Sequence, residues 1–224
     1  MPKNVSFTKD EAILALDVLL SSNQERLKPD CKEIIELSSL LNELPIISRE
    51  QRSDVFRNCS GICHQLNSFR ISFSKGIKDQ NVGAIFYYVA EEFAGREDDL
   101  HKVATAIRLN QAYFSNVQFG NDVEIYGFPE GALLSHLHRT IEARDGKKVK
   151  KTERCEICHL NLKEVYKPIK DSMMQVHLLV PITELNGEKK YGTNDFITVC
   201  PTCHDVLHRY RPWVGKKDFC NILR

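Results

Sequence analysis

The chain has 224 residues, enough for one domain or two small ones with a buried core. Its 31 basic and 30 acidic residues leave a net charge of +1, which excludes a general affinity for polyanions, so any nucleic-acid surface must be local. Residues 1–12 are polar, and no window is long and apolar enough for a membrane span, which predicts a cytoplasmic protein without a signal peptide or membrane partner.

The first two helices are predicted from their caps and their apolar runs. Thr8 and Glu11 have the spacing of a capping box in front of an apolar helix of about 8–21. Asp30 begins a second segment with the same spacing, and the apolar pattern that follows is ended by Pro45. We therefore expect a buried first helix and a second helix with one apolar side before Pro45.

A third helix is predicted over 61–71, with Ser60 as its N-cap. Its polar face carries side chains of the kind that read base edges: Ser60, His64, Gln65, Asn67 and Arg70. Arg57, Lys75 and Lys78 flank this face and could meet phosphates. A solvated helix face has the same composition, so DNA contact and plain exposure both remain open here.

Apolar stripes predict two more helices, over 81–94 and 97–109. With them, residues 1–110 form one helical domain, which we expect to be the DNA-recognition domain. It holds 14 basic and 16 acidic residues, a net charge of −2, so only one face of it could contact DNA.

Residues 111–150 are predicted to be a linker followed by a basic helix. Gly120, Gly127 and Pro129 mark the linker, and an apolar stripe predicts a helix over 130–144. From Arg139 to Arg154 there are seven basic and three acidic residues. Lys147, Lys148, Lys150 and Lys151 lie in this stretch, and we expect them to bind DNA phosphates.

Four cysteines form two Cys-x-x-Cys pairs, Cys155 with Cys158 and Cys200 with Cys203. Two such pairs supply the four sulfur ligands of a structural zinc ion, and the reducing cytosol suits both zinc-bound and free thiols. The spacer is longer than in a compact zinc ribbon, which predicts that a small subdomain is threaded between the pairs.

That subdomain is predicted to be two strands and a helix. Residues 175–180 and 196–199 should pair as antiparallel strands across a turn-rich loop, and residues 202–209 should be helical. His204 and His208 are then four residues apart on one helix face, where they can bind one ion together.

The stretch Gln175-Val-His-Leu-Leu-Val-Pro181, with Thr193 to His204 and then His208, resembles the HNH (ββα-metal) endonucleases. It is most similar to the branch that includes restriction enzymes acting on modified cytosine, and the tail Arg209-Tyr-Arg-Pro-Trp213 is typical of that branch. The resemblance implies an α+β fold, in which an N-terminal helical domain precedes a zinc-stabilised ββα-metal (HNH) domain over 151–224.

In that family the usual text is Val-His-His-x-x-Pro, in which the first histidine binds the catalytic metal and the second is the general base. By resemblance His177 joins His204 and His208 as a ligand, leaving positions open for water and a phosphate oxygen. The general-base position is occupied by Leu178, which cannot accept a proton. Asn194, or Asp195 by its distance from Cys200, takes the place of the residue that orients the base.

The resemblance therefore implies a metal-dependent DNA endonuclease for restriction or defence, inactivated in this copy by leucine at 178. Its cofactors would be a structural zinc and a divalent catalytic ion (Mg, Mn, Ni, Co or Zn), its partner double-stranded DNA, including modified DNA, and a homodimer is left open. Two alternatives remain: a catalytically silent DNA-binding module, and a zinc-stabilised protein-interaction domain. The latter leaves His177, His204 and His208 without a role.

Overall fold

A computed structural model describes residues 5–22, 26–47, 49–111, 133–166, 173–185, 189–209 and 214–222. The chain divides into two units, Met1–Leu133 and Leu134–Arg224. Most of the expected linker 111–130, the tail after Arg209 up to 213, and the Asn186-Gly187 turn lie outside the described residues.

The first unit is helical and is built around its first helix. Its helices are α1 (Lys9–Ser21), α2 (Lys32–Glu43), α3 (Cys59–Ser74), α4 (Ala84–Glu92) and α5 (Glu97–Leu109), with a 3-10 turn at Arg49–Gln51. Helix α1 is buried from Asp10 to Asp17 and at Leu19, and it packs against each of the other four. The buried helix predicted from the sequence is therefore confirmed.

The helix caps agree with the sequence at α1 and differ from it at α2 and α3. The N–H of Thr8 donates to Glu11 over 2.8 Å and the N–H of Glu11 donates to the Thr8 hydroxyl over 3.4 Å, so the predicted capping box is confirmed. The second box is wrong, because α2 starts after Cys31 with no side-chain cap. In α3 the cap is Asn58, not Ser60, since Asn58 accepts the N–H of Gly61 and the helix begins two residues earlier.

Arg57 is buried against Glu11 and is not on the surface. Its Nε lies 2.6 Å from Glu11 Oε1, and its Nη2 lies 2.9 Å from Oε2. Its other N–H groups donate to the carbonyls of Val5 and Ser6, each over 2.8 Å, and the guanidinium lies 4.0 Å from the ring centre of Phe7. The prediction that Arg57 meets DNA phosphates is therefore wrong, because this side chain ties the N-terminal segment to α1.

The second unit combines short helices with a two-stranded sheet. Its elements are α6 (Leu133–Asp145), a 3-10 turn at Gly146–Lys148, α7 (Leu162–Val165), β1 (Gln175–Leu178), 3-10 turns at Ile182–Glu184 and Thr193–Asp195, β2 (Phe196–Val199), α8 (Pro201–Arg209) and α9 (Lys216–Ile222). β1 and β2 pair antiparallel, with His177 opposite Ile197. The chain is thus mixed α+β and mostly helical, and the predicted strand pair and following helix are confirmed.

The core of the second unit includes three of its cysteines, and the turn directly after α6 contacts β1. The core consists of Cys155, Ile157, Leu162, Met174, Ile197, Val199, Cys200, Cys203, Leu207 and Phe219. Directly after α6, a Cβ on Gly146 would lie 3.0 Å from Cγ1 of Val176, so any larger residue there would require the Val176 side chain to shift. The last turn of α6 is therefore held next to the strand that carries His177. None of the described helices of either unit has the length and apolar character needed to cross a membrane.

Candidate metal centres

The four cysteines of the two Cys-x-x-Cys pairs meet in one place, called here the cysteine cluster. Cys155 and Cys158 lie in the turn before α7, and Cys200 and Cys203 lie where β2 passes into α8. All four sulfurs are within 4.8 Å of one another, and Cys158 Sγ is 3.7 Å from Cys200 Sγ. The sheet and α8 thus join two sequence pairs that are more than forty residues apart.

The two halves of the cysteine cluster have matching hydrogen bonds. The N–H of Cys158 donates to Cys155 Sγ over 3.5 Å, and the N–H of Cys203 donates to Cys200 Sγ over 3.5 Å. Burial and the neighbouring sulfurs raise the pKa of Cys203, because a thiolate there would face other sulfurs in an apolar core. A bound cation would relieve that repulsion, and the cluster could hold a structural metal such as zinc.

A second cluster forms where β1 faces α8. The structure brings together the three histidines expected to bind a catalytic ion. His204 and His208 extend from one face of α8, with their Nε2 atoms 3.2 Å apart. His177 extends from β1, with its ring centre 5.0 Å from that of His208 and 5.3 Å from that of His204.

Helix α6 adds two residues to this cluster that the sequence analysis missed, His138 and Glu142. Nδ1 of His138 and Nδ1 of His177 each lie 2.7 Å from Glu142 Oε1. On the other oxygen, Oε2, the Nε2 atoms of His204 and His208 lie at 2.9 and 3.3 Å. The carboxylate of Glu142 is therefore surrounded by four imidazoles, and we call the five residues the histidine–glutamate cluster.

The sequence did contain a signal for the two missed residues. His138 and Glu142 are four residues apart, the same spacing as His204 and His208, so both pairs present two ligands on one helix face. What the sequence could not show is that α6 lies against β1. That contact includes the close approach of Gly146 to Val176, which are far apart in the chain.

The histidine–glutamate cluster is almost completely enclosed. Residue exposure is 0% for His138, 2% for His177, 5% for His208 and 6% for Glu142. Burial lowers the pKa of His177 to about 4 and that of His208 to about 3. Burial alone would raise the pKa of Glu142, but the adjacent histidines hold it well below its usual value. At neutral pH the cluster thus contains one carboxylate and neutral His177 and His208 rings, a combination that suits a divalent cation.

The donor set of this cluster fits a metal ion. Ligand atoms of His138, Glu142, His177 and His208 all lie within 4.8 Å of one another. The Nδ1 atom of His177 is close to Glu142 Oε1, yet it makes no hydrogen bond of acceptable geometry within the described part of the chain. His204 and His208 hydrogen-bond to Oε2 of the same carboxylate, so His177 Nδ1 is the nitrogen placed as a ligand of a shared ion would be.

The residues expected to supply the general base and its orienting group lie beside the cluster or away from it. Leu178 is 1% exposed, and its backbone N–H donates to Glu142 Oε1 over 3.3 Å. Asn194 is exposed in the turn before β2. Asp195 closes that turn, since its Oδ2 accepts the N–H of Gly192 over 2.8 Å. The carboxylate of Asp195 is therefore used to shape the loop that leads into β2.

The predicted DNA-reading face of α3 is partly used inside the first unit. Nε2 of Gln65 donates to the carbonyl of Asn81 over 2.8 Å, and its Oε1 accepts the N–H of Gly83 over 3.1 Å. Nδ2 of Asn67 donates to the carbonyl of Leu27 over 2.9 Å. These amides fix neighbouring loops, so the structure does not present Gln65 and Asn67 as free readers of bases. Among the other residues of that face, Ser60 and His64 are exposed and Arg70 is half-buried.

The four lysines predicted to bind phosphates are all exposed: Lys147, Lys148, Lys150 and Lys151. None of them lies in an ion pair within the described residues. Other basic residues of the same stretch are paired, as Arg144 is with Asp145 at 2.9 Å and Arg154 with Glu164 at 2.5 Å. These four exposed lysines therefore provide positive charge that a phosphate could contact close to the end of α6.

Comparisons of the chain with models of protein families, with curated proteins and with solved structures find no match. Similarity therefore does not show a family for this chain. The cysteine cluster, the histidine–glutamate cluster and the exposed lysines are the features from which a function can be proposed.

Proposed function

We propose that the chain is a DNA-directed protein of the HNH (ββα-metal) type, with a role in restriction or defence against modified or foreign DNA. Its second unit would be a metal-dependent endonuclease module by lineage, and the chain as written would cut DNA slowly or not at all. Double-stranded DNA is the proposed partner.

One observation carries this proposal. His177 on the first strand meets His204 and His208 on the helix that follows the second strand, beside a separate cysteine cluster. That order of strand, strand and helix, with a histidine on the first strand and two on the helix, is what the resemblance to the HNH family implies. A divalent ion held there would polarise a phosphodiester and stabilise the leaving oxygen.

The proposed weakness in cutting follows from the residue at 178. A general base must accept a proton from the attacking water, and the side chain of Leu178 has no group that can do so. The loss of general-base catalysis alone lowers a rate by on the order of 10²–10⁴. One observation favours the silent DNA-binding alternative. The carboxylate of Glu142 lies against His177 and His204, in the space that a phosphate oxygen would need.

The exposed lysines support contact with the DNA backbone. Lys147 and Lys148 extend from the 3-10 turn directly after α6, the helix that also carries Glu142. A phosphate bound by these ammonium groups would lie near the end of the helix that supplies the cluster. Binding of this kind is independent of sequence and weakens steeply with salt.

DNA binding by the full chain tests the proposal. The affinity for duplex DNA, with and without cytosine modification, is measured at several salt concentrations for the chain and for Lys147→Ala/Lys148→Ala. We expect the variant to bind more weakly to every duplex, with a salt slope smaller by about two. The matched control is Lys32→Ala/Lys102→Ala, which removes two exposed lysines of the first unit. Absence of binding, or equal losses in both variants, would contradict the proposal.

A further inference from the structure

We propose that His138, Glu142, His177 and His208 form a second metal site, separate from the cysteine cluster. All of its ligands come from the protein, and it holds a structural ion such as zinc or cobalt. The resemblance implies only the histidines of β1 and α8, and the two residues from α6 change what the site can do. The inference rests on the proposed function for the origin of the module, and it differs from the family's arrangement in assigning this cluster a structural role in place of a catalytic one.

Four imidazole nitrogens converge on the carboxylate of Glu142. Its two carboxylate oxygens have four imidazole nitrogens between 2.7 and 3.3 Å from them, supplied by α6, β1 and α8. Neighbouring ligand atoms around a tetrahedral zinc ion are about 3.4 Å apart, given zinc–nitrogen distances of about 2.1 Å. The contacts to Glu142 are shorter than this spacing, and ligand atoms of His138, Glu142, His177 and His208 all lie within 4.8 Å of one another, which is within the reach of one ion.

The site is also enclosed by protein. Catalytic zinc sites have three protein ligands and leave a position for water or substrate, whereas structural sites are filled by the protein. Here four buried protein ligands are available, and Glu142 lies where an open position would be required. His204, whose side chain is 13% exposed, approaches Glu142 Oε2 from the solvent side and holds the carboxylate in place.

A cage without metal is the competing explanation, in which neutral histidines donate N–H groups to the carboxylate. It would place His177 Nδ1 in a hydrogen bond to Glu142 Oε1. The two atoms are 2.7 Å apart, but the geometry is not that of a hydrogen bond. The cage leaves this buried nitrogen unsatisfied, while a shared ion uses it.

The ligand chemistry selects the ion. Imidazole nitrogens suit zinc, cobalt and nickel, while magnesium prefers oxygen ligands and retains several waters. A site of three imidazoles and one carboxylate in a dry interior therefore favours zinc or cobalt and excludes magnesium as its resident ion.

Metal analysis of the full chain tests the site. After dialysis against a weak chelator, we expect about two zinc ions per chain, and about one for Glu142→Gln or His138→Ala. The matched control is Glu153→Gln, which changes an exposed glutamate and should keep both ions. Cobalt substitution gives a second reading on the unmodified chain. We expect two classes of cobalt, one with the strong sulfur charge-transfer absorption of a thiolate site and one tetrahedral without sulfur.

The outcomes separate this site from the proposed function. One zinc per chain with a single thiolate-type cobalt spectrum would show that the cluster is a metal-free cage. An unchanged second zinc in Glu142→Gln would remove Glu142 from the ligands and leave the site open. Neither result depends on whether the chain binds DNA, and a chain that fails to bind DNA could still hold both ions.

Discussion

The backbone N–H of Leu178 donates to Oε1 of Glu142 over 3.3 Å, although the two residues are 36 positions apart. The residue in the family's general-base position therefore touches the histidine–glutamate cluster through its main chain, while its own side chain is buried and apolar. The carboxylate accepts this N–H at the edge of β1 that faces away from β2. This hydrogen bond connects α6 to the strand that carries His177.

Acid should destabilise the second unit when its metal has been removed. Burial lowers the pKa of His177 to about 4 and that of His208 to about 3, below the ordinary value of 6.5. The unfolded state therefore binds more protons below about pH 6.5, so stability falls as the pH decreases from there toward 4.

We expect the free energy of unfolding of the chelated chain to fall by on the order of 2 kcal/mol or more between pH 7 and pH 5. Urea titrations at the two values, followed by circular dichroism, measure it. Replacing both residues with asparagine, in His177→Asn/His208→Asn, should flatten this part of the pH profile. An unchanged profile in that variant would assign the acid sensitivity to other groups.

Loss of the Arg57 side chain should strongly destabilise the first unit. Arg57→Met leaves the buried carboxylate of Glu11 without its partner and frees the carbonyls of Val5 and Ser6. Breaking a buried pair from one side costs about 3–5 kcal/mol.

The control is Lys32→Met, which breaks an exposed pair with Glu36 and should cost about 0.5 kcal/mol or less. Urea titration of each variant gives the comparison. If Arg57→Met unfolds at the same urea concentration as the unmodified chain, the ion pair does not hold the N-terminal segment.

Local patterns in the sequence were the reliable part of the prediction. The Thr8–Glu11 box spans four residues, and the β1–β2 pair follows from apolar strands on either side of a turn, so both could be read from short stretches. Contacts between distant segments could not. Gln65 has the composition of a base reader, and only the structure shows that its amide is engaged by Asn81 and Gly83.

The same limit explains the site. His177, His204 and His208 lie within about thirty residues and form one hairpin-and-helix pattern. Glu142 lies on α6, which precedes both strands and α8 in the chain. The length of the segment between α6 and β1 does not show whether the two elements are in contact. Buried carboxylates are uncommon. The sequence of α6 contains both polar and apolar residues, and it does not show which of its polar residues is buried.

Gln65→Ala tests the corrected role of α3. It removes two hydrogen bonds to the loop before α4, and we expect a loss of about 1–2 kcal/mol in unfolding free energy. The affinity for DNA should not change beyond the effect of partial unfolding. His64→Ala is the matched variant, since it changes an exposed residue on the same helix and should leave stability within about 0.5 kcal/mol. A selective loss of DNA affinity in Gln65→Ala, with unchanged stability, would restore the original prediction that this residue reads bases.

Cleavage of DNA should require two changes together, at 178 and at 142. The sequence alone predicts that Leu178→His restores cutting, because it returns a proton acceptor to the general-base position. The structure adds Glu142, which fills the space among His177, His204 and His208 that a phosphate oxygen would need. We therefore expect little cutting from Leu178→His or Glu142→Ala alone, and a measurable gain from Leu178→His/Glu142→Ala.

Nicking of supercoiled plasmid measures this gain, with cytosine-modified and unmodified DNA and with magnesium, manganese or zinc. The gain in the double variant should be on the order of 10²-fold or more over either single change, since each single change leaves the other obstacle in place. Adding His208→Ala to the double variant should abolish the gain. Glu142→Ala leaves His138, His177 and His208 as ligands, and the two that remain without His208 cannot hold the ion. If Leu178→His alone cuts as fast as the double variant, Glu142 does not close the site. If no variant cuts with any metal while all still bind DNA, the module is a DNA-binding one without a recoverable nuclease activity.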